Sequence, residues 1–195
     1  VHGGDWAGYE AEYGRSALDF SANVSPLGVP QGVQRAIAAA AVRSDRYPDP
    51  LCRELCAALA QRENLSPDWI LCGNRAADLI WRLAAARRPR RALLPAPAFA
   101  EYAAALQSVG CRIDRYQLSE KENFTLDPAF LQSITPETEM VFLCEPNNPT
   151  GRTTPMPLLL RILDRCCAVG AVLVVDECFG DFLDDPAAHT LVPQL

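Results

Sequence analysis

The sequence predicts an α/β protein, a three-layer sandwich with a mostly parallel sheet between two layers of helices. Two observations carry that expectation. Short apolar runs such as Met140 to Cys144 and Ala171 to Val175 have the continuous character of strands buried on both faces. Longer stretches of helical periodicity separate such runs, and a parallel connection requires a crossover of that kind. Composition agrees: 49% of residues are hydrophobic and 22% charged, as in ordinary globular proteins. The net charge of −6 is a poor match to nucleic acid or to an anionic membrane surface. A length of 195 residues suits one sizeable domain, or one domain and part of another.

Taken in order, residues 1 to 30 are rich in Gly, Pro and Ser and read as an arm rather than a packed element. The longest apolar stretch, Ala36 to Val42, is too short to cross a bilayer, and no charged-then-apolar signal opens the sequence, so a cytoplasmic protein is expected. The first residue is Val1 rather than Met, which suggests that the true N-terminus has been processed or removed. Leu51 to Arg62 is helical, with Leu51, Leu55, Ala58 and Leu59 on one face. Trp69 to Cys72 is a brief strand, Ala76 to Ala86 a helix, Ala92 to Leu94 a strand, and Ala98 to Val109 a helix. Cys111 to Leu118 alternates as a strand does, and Ser119 to Asn123 reads as an exposed loop. The helix Met156 to Ala168 lies between the runs Met140 to Cys144 and Ala171 to Val175.

The eight cysteines form no C-x-x-C pair, and the two histidines, His2 and His189, lie near opposite ends of the chain, so a zinc site has little to build on. Several fall inside strand-like runs, where a free cysteine reads as a small buried hydrophobe.

In a parallel sheet, ligands gather at the carboxyl ends of the strands. Four such ends carry unusual residues. Gly73-Asn74-Arg75-Ala76-Ala77-Asp78 is a glycine turn into a helix, where free N–H groups can receive an anion; Asn74 as a plain N-cap and Asp78 as a first-turn acid explain it equally well. Phe99 and Tyr102, in Pro97-Ala98-Phe99-Ala100-Glu101-Tyr102, could stack on a planar ring or simply join the core. Glu145-Pro146-Asn147-Asn148-Pro149-Thr150-Gly151 is denser in turn formers and amides than a tight turn requires. Asp176 ends an apolar strand and needs a partner there, an arginine or a bound cation.

Together, Gly-Asn-x-Ala-Ala, Pro-x-Phe-x-x-Tyr, Asn-Asn-Pro-Thr-Gly and Asp-Glu-x-Phe resemble the class I/II pyridoxal-phosphate aminotransferase family of fold type I, over most of the chain. The resemblance implies pyridoxal phosphate as cofactor. It gives Asn148 to the cofactor's phenolic oxygen, Asp176 to its pyridine nitrogen, the backbone N–H groups of Ala76 and Ala77 to its phosphate, and Phe99 to its ring, with Tyr102 the second choice. It also implies a homodimer, in which Tyr47 reaches the partner's cofactor phosphate. On the same ground residues 1–44 are an arm and the first part of a small domain, and 45–195 an incomplete cofactor-binding large domain. Two positions depart from the family pattern. Arg75 stands where many relatives carry glycine, and its guanidinium is expected to face solvent. Phe179 stands where many carry a tyrosine, which leaves Asn148 as the main donor to the phenolic oxygen.

Such enzymes need a Schiff-base lysine after the aspartate. The only lysine is Lys121, in a polar segment before the asparagine motif, so no catalytic residue is expected in this chain and a truncated protein is inferred. His2-Gly3-Gly4-Asp5 and Leu18 to Gly28 resemble the threonine-phosphate decarboxylase branch of cobalamin biosynthesis, close kin of histidinol-phosphate aminotransferases. That likeness makes His2 and Asn23 substrate candidates and an amino-acid phosphate the expected small-molecule substrate, with an ordered tail the plain alternative. A non-catalytic binding module is the rival class, and Arg87-Arg88-Pro89-Arg90-Arg91 is the feature it could use for nucleic acid, though such a cluster on an acidic chain is more often a solvated helix end.

Overall fold

The computed structural model describes residues 4–25 and 27–195, and the chain divides into two compact units that meet in sequence at Pro50 and Leu51. The first unit holds two helices. Helix α1 (Trp6–Tyr13) starts because the Asp5 carboxylate accepts a hydrogen bond from the Gly8 N–H at 2.9 Å, and it stops at Gly14. Helix α2 (Gln31–Ala41) follows Pro30 and is rich in alanine, the strongest helix former. Neither helix contains a fully buried residue.

The second unit opens with α3 (Arg53–Glu63), a 3-10 turn at Pro67–Trp69, and α4 (Arg75–Arg87). Then come β1 (Arg91–Ala96), α5 (Ala100–Ser108), β2 (Arg112–Gln117), the single turn α6 (Phe130–Ser133), β3 (Met140–Cys144), α7 (Met156–Val169) and β4 (Val172–Asp176). All strand pairs are parallel, and the sheet order is β2-β1-β3-β4. Side chains alternate across the pleat, so one apolar strand feeds two cores. Ala92, Leu94, Met140, Phe142 and Cys144 meet Ile80 and Ala84 of α4 and Tyr102, Ala105 and Leu106 of α5. Leu93, Val141 and Leu143 point the other way, onto Phe130 and onto Leu158, Leu159, Ile162 and Cys166 of α7. Each fully buried large side chain contributes about 1.5–3 kcal/mol, so β3, buried at all five positions, anchors both layers. The predicted three-layer parallel architecture is therefore the one observed.

At the edge, β2 carries Arg112, Asp114 and Arg115, charges that discourage further strand pairing. Asp114 also accepts from the Arg91 Nε of β1 at 2.5 Å.

One expected strand is absent. Trp69 to Cys72 forms no ladder among the described residues; the Ser66 hydroxyl accepts from the Asp68 N–H, Pro67 fixes the first helical position, and Trp69 ends a 3-10 turn. Trp69 and Leu71 remain 61% and 66% exposed, so the apolar run has no neighbouring strand to bury it. The arm expected over residues 1 to 30 contains α1, which the Asp5 cap and the Gly14 stop produce.

Candidate active site

The carboxyl ends of β1, β3 and β4 lie along one edge of the sheet, and the unusual residues of the sequence gather there. β3 and β4 are in register, with Cys144 opposite Asp176, and the Glu145 N–H donates to the Asp176 carbonyl at 2.9 Å. This pairing fixes where the turn after β3 begins relative to the acid at the end of β4.

That turn is built by Asn147. Its side-chain amide donates to the Thr150 hydroxyl at 2.9 Å and to the Pro97 carbonyl, in the β1–α5 loop, at 3.2 Å. Its carbonyl accepts from the Gly151 N–H at 2.6 Å, and its N–H donates to the Arg152 carbonyl at 2.8 Å. Asn147 thus ties two strand-end loops together. Asn148 is half-buried, and among the described residues its side-chain amide has no hydrogen-bond partner. The two adjacent asparagines therefore differ in kind: one is consumed by the fold, and the other has an amide to offer.

Asp176 is half-buried, with both carboxylate oxygens engaged. Oδ1 accepts from the Cys178 N–H at 3.1 Å, and Oδ2 accepts from the Tyr102 hydroxyl at 2.7 Å. The partner that the chain itself supplies is a phenol rather than an arginine. Tyr102 is 1% exposed, its ring stacked on Phe142 at 5.0 Å and set edge-on to Phe99 at 5.6 Å. The tyrosine thus leaves α5, crosses above β3 and delivers its hydroxyl to the end of β4. Burial first, and then the Cys144 and Asp176 charges, push the Tyr102 hydroxyl far above its ordinary value, so it remains a neutral donor. A ring this enclosed has no open face for a second ring. The half-buried Phe99, immediately before α5, has the better position for stacking.

Helix α4 brings its first turn to the same acid. Ala76, Leu79, Ile80 and Leu83 face Val174, Val175, Asp176, Glu177 and Cys178 across an apolar cleft of about 330 Å³. Ala77 is half-buried in that first turn but does not line the cleft. Asn74 caps α4 without a side-chain hydrogen bond; instead its N–H donates to Asp78 Oδ2 at 2.9 Å. At Gly73 a Cβ would fall 2.6 Å from Leu79 Cδ2 and 2.8 Å from Asp78 Oδ2, so a larger residue would have to displace these two side chains. Arg75 is exposed and has φ of 69°, the left-handed region that glycine adopts without strain. The backbone itself therefore explains why glycine would suit this position.

Tyr47 and Asn23 are exposed residues of the first unit, and His2 lies outside the described residues. Lys121 is exposed in a 3-10 turn, Glu120–Glu122. Phe179 rests on Phe182, with ring centroids 6.2 Å apart. The basic cluster is partly neutralised: Arg90 donates to Glu139 through its N–H and Nε, and Arg91 donates to Asp114 and Glu137. Sequence reasoning missed the Tyr102–Asp176 link and the Asn147 tie. The only signal for the first was an aromatic one helical turn beyond Phe99.

Residues 15–195 match the family described as Aminotransferase class I and II. Threonine-phosphate decarboxylase of Salmonella typhimurium is 42% identical over 178 residues, which are 91% of this chain and 48% of that protein. Histidinol-phosphate aminotransferase 1 of Cupriavidus pinatubonensis is 36% identical over 177 residues, 90% of this chain and 46% of its own length. The crystal structure of the histidinol-phosphate aminotransferase from Clostridium acetobutylicum superposes with a TM-score of 0.79 at 25% identity, covering 90% of this chain and 51% of that one. The chain thus spans about half the length of the relatives it matches. On the matched span and the shared parallel fold, the chain belongs to the aminotransferase class I and II family, whose enzymes depend on pyridoxal phosphate.

Proposed function

We propose that this chain supplies the cofactor-binding part of an enzyme acting on an amino-acid phosphate, most simply the decarboxylation of threonine phosphate. One observation carries the reading: Asp176, fixed by the buried Tyr102 hydroxyl, faces the first turn of α4 across an apolar cleft. Pyridoxal phosphate fits that donor set. The cofactor is a flat ring with a basic nitrogen at one end and a phosphate at the other; an acid and a helix N-terminus complement the two ends. Asp176 would hold a proton on the ring nitrogen, Asn148 would give its amide to the phenolic oxygen, and Phe99 would cover the ring. Ala76 and Ala77 would present N–H groups to the phosphate. Once bound, the cofactor supplies an electron sink for charge developing at the substrate α-carbon.

The residues of this chain act by orientation. Tyr102 stops Asp176 from turning away, and Asn147 holds the loop that carries Asn148. Leu79, Ile80 and Val174 give the acid an apolar flank in the cleft, which reduces its contact with water without removing it. No amine stands among these groups, so we assign no catalytic residue to the segment and expect it to bind cofactor without turnover. Tyr47, wholly exposed, leaves its hydroxyl open to the phosphate site of a second copy in a homodimer. A cytoplasmic place in cobalamin biosynthesis follows the same proposal.

The decarboxylase reading is preferred over histidinol-phosphate transamination because the similarity is 42% against 36%. The full-length protein, given threonine phosphate, should release carbon dioxide without a keto acid. Amino transfer that depends on a keto acid, with histidinol phosphate as donor, would replace this reading with the second.

A further inference from the structure

Three thiols meet beside the turn that opens α4. Cys52 is the N-cap of α3, Cys56 lies one helical turn later on the same face, and Cys72 immediately precedes Gly73. The sulfurs of Cys56 and Cys72 are 3.6 Å apart, and Cys56 Sγ also lies 3.7 Å from the carbonyl oxygens of Leu51 and Ile70. Both cysteines are free thiols, Cys72 half-exposed and Cys56 8% exposed. A disulfide has a sulfur–sulfur length of about 2.0 Å, so the two sulfurs must approach by roughly 1.6 Å to close this pair.

We propose that Cys56 and Cys72 are a modification site, a dithiol that peroxide converts to a reversible disulfide fastening α3 to the turn before α4. This inference stands on the sulfur geometry and does not depend on which reaction the protein catalyses. Cys72, the more accessible of the two, attacks hydrogen peroxide as its thiolate; the O–O bond breaks, water leaves, and a sulfenic acid forms. The Cys56 sulfur then attacks the Cys72 sulfur, the S–O bond breaks, and a second water departs. Overall two thiols and one peroxide give one disulfide and two waters, with sulfur oxidised and peroxide oxygen reduced. A small-molecule dithiol reverses the bond by exchange. Partial burial first, and then the Cys56 and Cys52 sulfurs, hold the Cys72 thiol above its ordinary value. Little thiolate is present at neutral pH, so the attack on peroxide is slow and the oxidation needs sustained exposure.

The site has a structural consequence because Cys72 is one residue from Gly73, which packs closely against the Leu79 and Asp78 side chains. Fixing Cys72 to α3 restricts the segment that presents the α4 N–H groups.

The test is peptide mapping of the 195-residue chain after hydrogen peroxide, with remaining thiols alkylated and no reductant present. The expected product is one intrachain peptide pair joining Cys56 to Cys72, two hydrogens lighter than the reduced form and lost on dithiothreitol treatment. Cys56→Ser should abolish that pair, while Cys167→Ser, at an exposed thiol of α7, should leave it intact. In the oxidised wild type, amide exchange across Gly73–Ala76 should slow by roughly tenfold and recover on reduction. Full alkylation of Cys56 after peroxide would overturn the proposal, as would a Cys52–Cys72 pair in its place or unchanged exchange at the turn.

Discussion

Replacing Tyr102 with phenylalanine isolates one hydroxyl. The phenylalanine ring keeps the stacking on Phe142 and the edge contact with Phe99, so no core volume is lost. What disappears is the 2.7 Å donation to Asp176 Oδ2, a hydrogen bond to a carboxylate. Such bonds contribute about 1.5–3 kcal/mol. Asp176 is only half-buried and keeps the Cys178 N–H on Oδ1, so water can partly replace the lost donor and the lower end applies. The expected cost is about 1–2 kcal/mol, a drop in melting temperature of roughly 2–8 °C for a chain of this size. Urea unfolding followed by circular dichroism should show the midpoint falling at constant slope. A double-mutant cycle with Asp176→Ala should return a coupling energy of about 1–2 kcal/mol. A coupling near zero would refute the claim that the phenol holds the acid. A loss for Tyr102→Phe of about 3–5 kcal/mol, as expected for truncating the whole ring, would show that the ring has moved and the hydroxyl was not isolated.

Two further perturbations follow from the same structure. Glu145 is 3% exposed and accepts from both the N–H and the hydroxyl of Thr154; burial, the largest influence, raises its carboxyl above the ordinary value despite those two donors. A raised folded value means that its contribution to stability is complete below the unfolded value, about pH 4.3, and is lost as pH rises through the folded one. Glu145→Gln can still accept from the Thr154 N–H, so stability measured from pH 4 to 7 should fall less steeply than in the wild type; an unchanged slope would remove Glu145 as the cause. At Arg75, with φ of 69°, glycine should be more stable than alanine by about 0.5–1 kcal/mol, the reverse of the usual helical order. Chemical denaturation of Arg75→Gly against Arg75→Ala reads this directly, and an alanine variant as stable as the glycine one would contradict the left-handed backbone.

The strands that were legible are those whose burial is set by one property. Met140 to Cys144 is apolar at every position because both faces are covered, and β3 has those bounds. Helix α7 begins at Met156 as expected and runs one residue past Ala168, to a Gly170 with φ of 75°. Trp69 to Cys72 carries the same apolar signature but lacks a ladder partner, and its preceding Ser66-Pro67 pair favours a 3-10 turn. Apolarity reports that a segment can be buried; the pairing that buries it lies elsewhere in the chain.

The site divides along the same line. Of the proposed cofactor residues, only Asp176 stands out by position, as an acid ending an apolar strand; Asn148, Phe99 and the α4 turn are marked by the resemblance to the aminotransferase family, since a turn, a core aromatic and a helix cap account for them as well. The Tyr102–Asp176 hydrogen bond joins residues 74 apart, and it exists because β3 lies between β1 and β4 in the sheet. Helix α5 follows β1 and packs over that neighbour, so Phe142 of β3 becomes the surface on which the Tyr102 ring lies. The hydroxyl then arrives at the next strand along, β4, at the acid that ends it. Strand order therefore selects which phenol meets which carboxylate, and strand order is a property of the assembled sheet rather than of either segment. The same logic separates Asn147 from Asn148. Their identities are equal in sequence, and it is the reach of the first to the Thr150 hydroxyl and to the Pro97 carbonyl, across from β1, that commits its amide to the fold and leaves that of the second unspent.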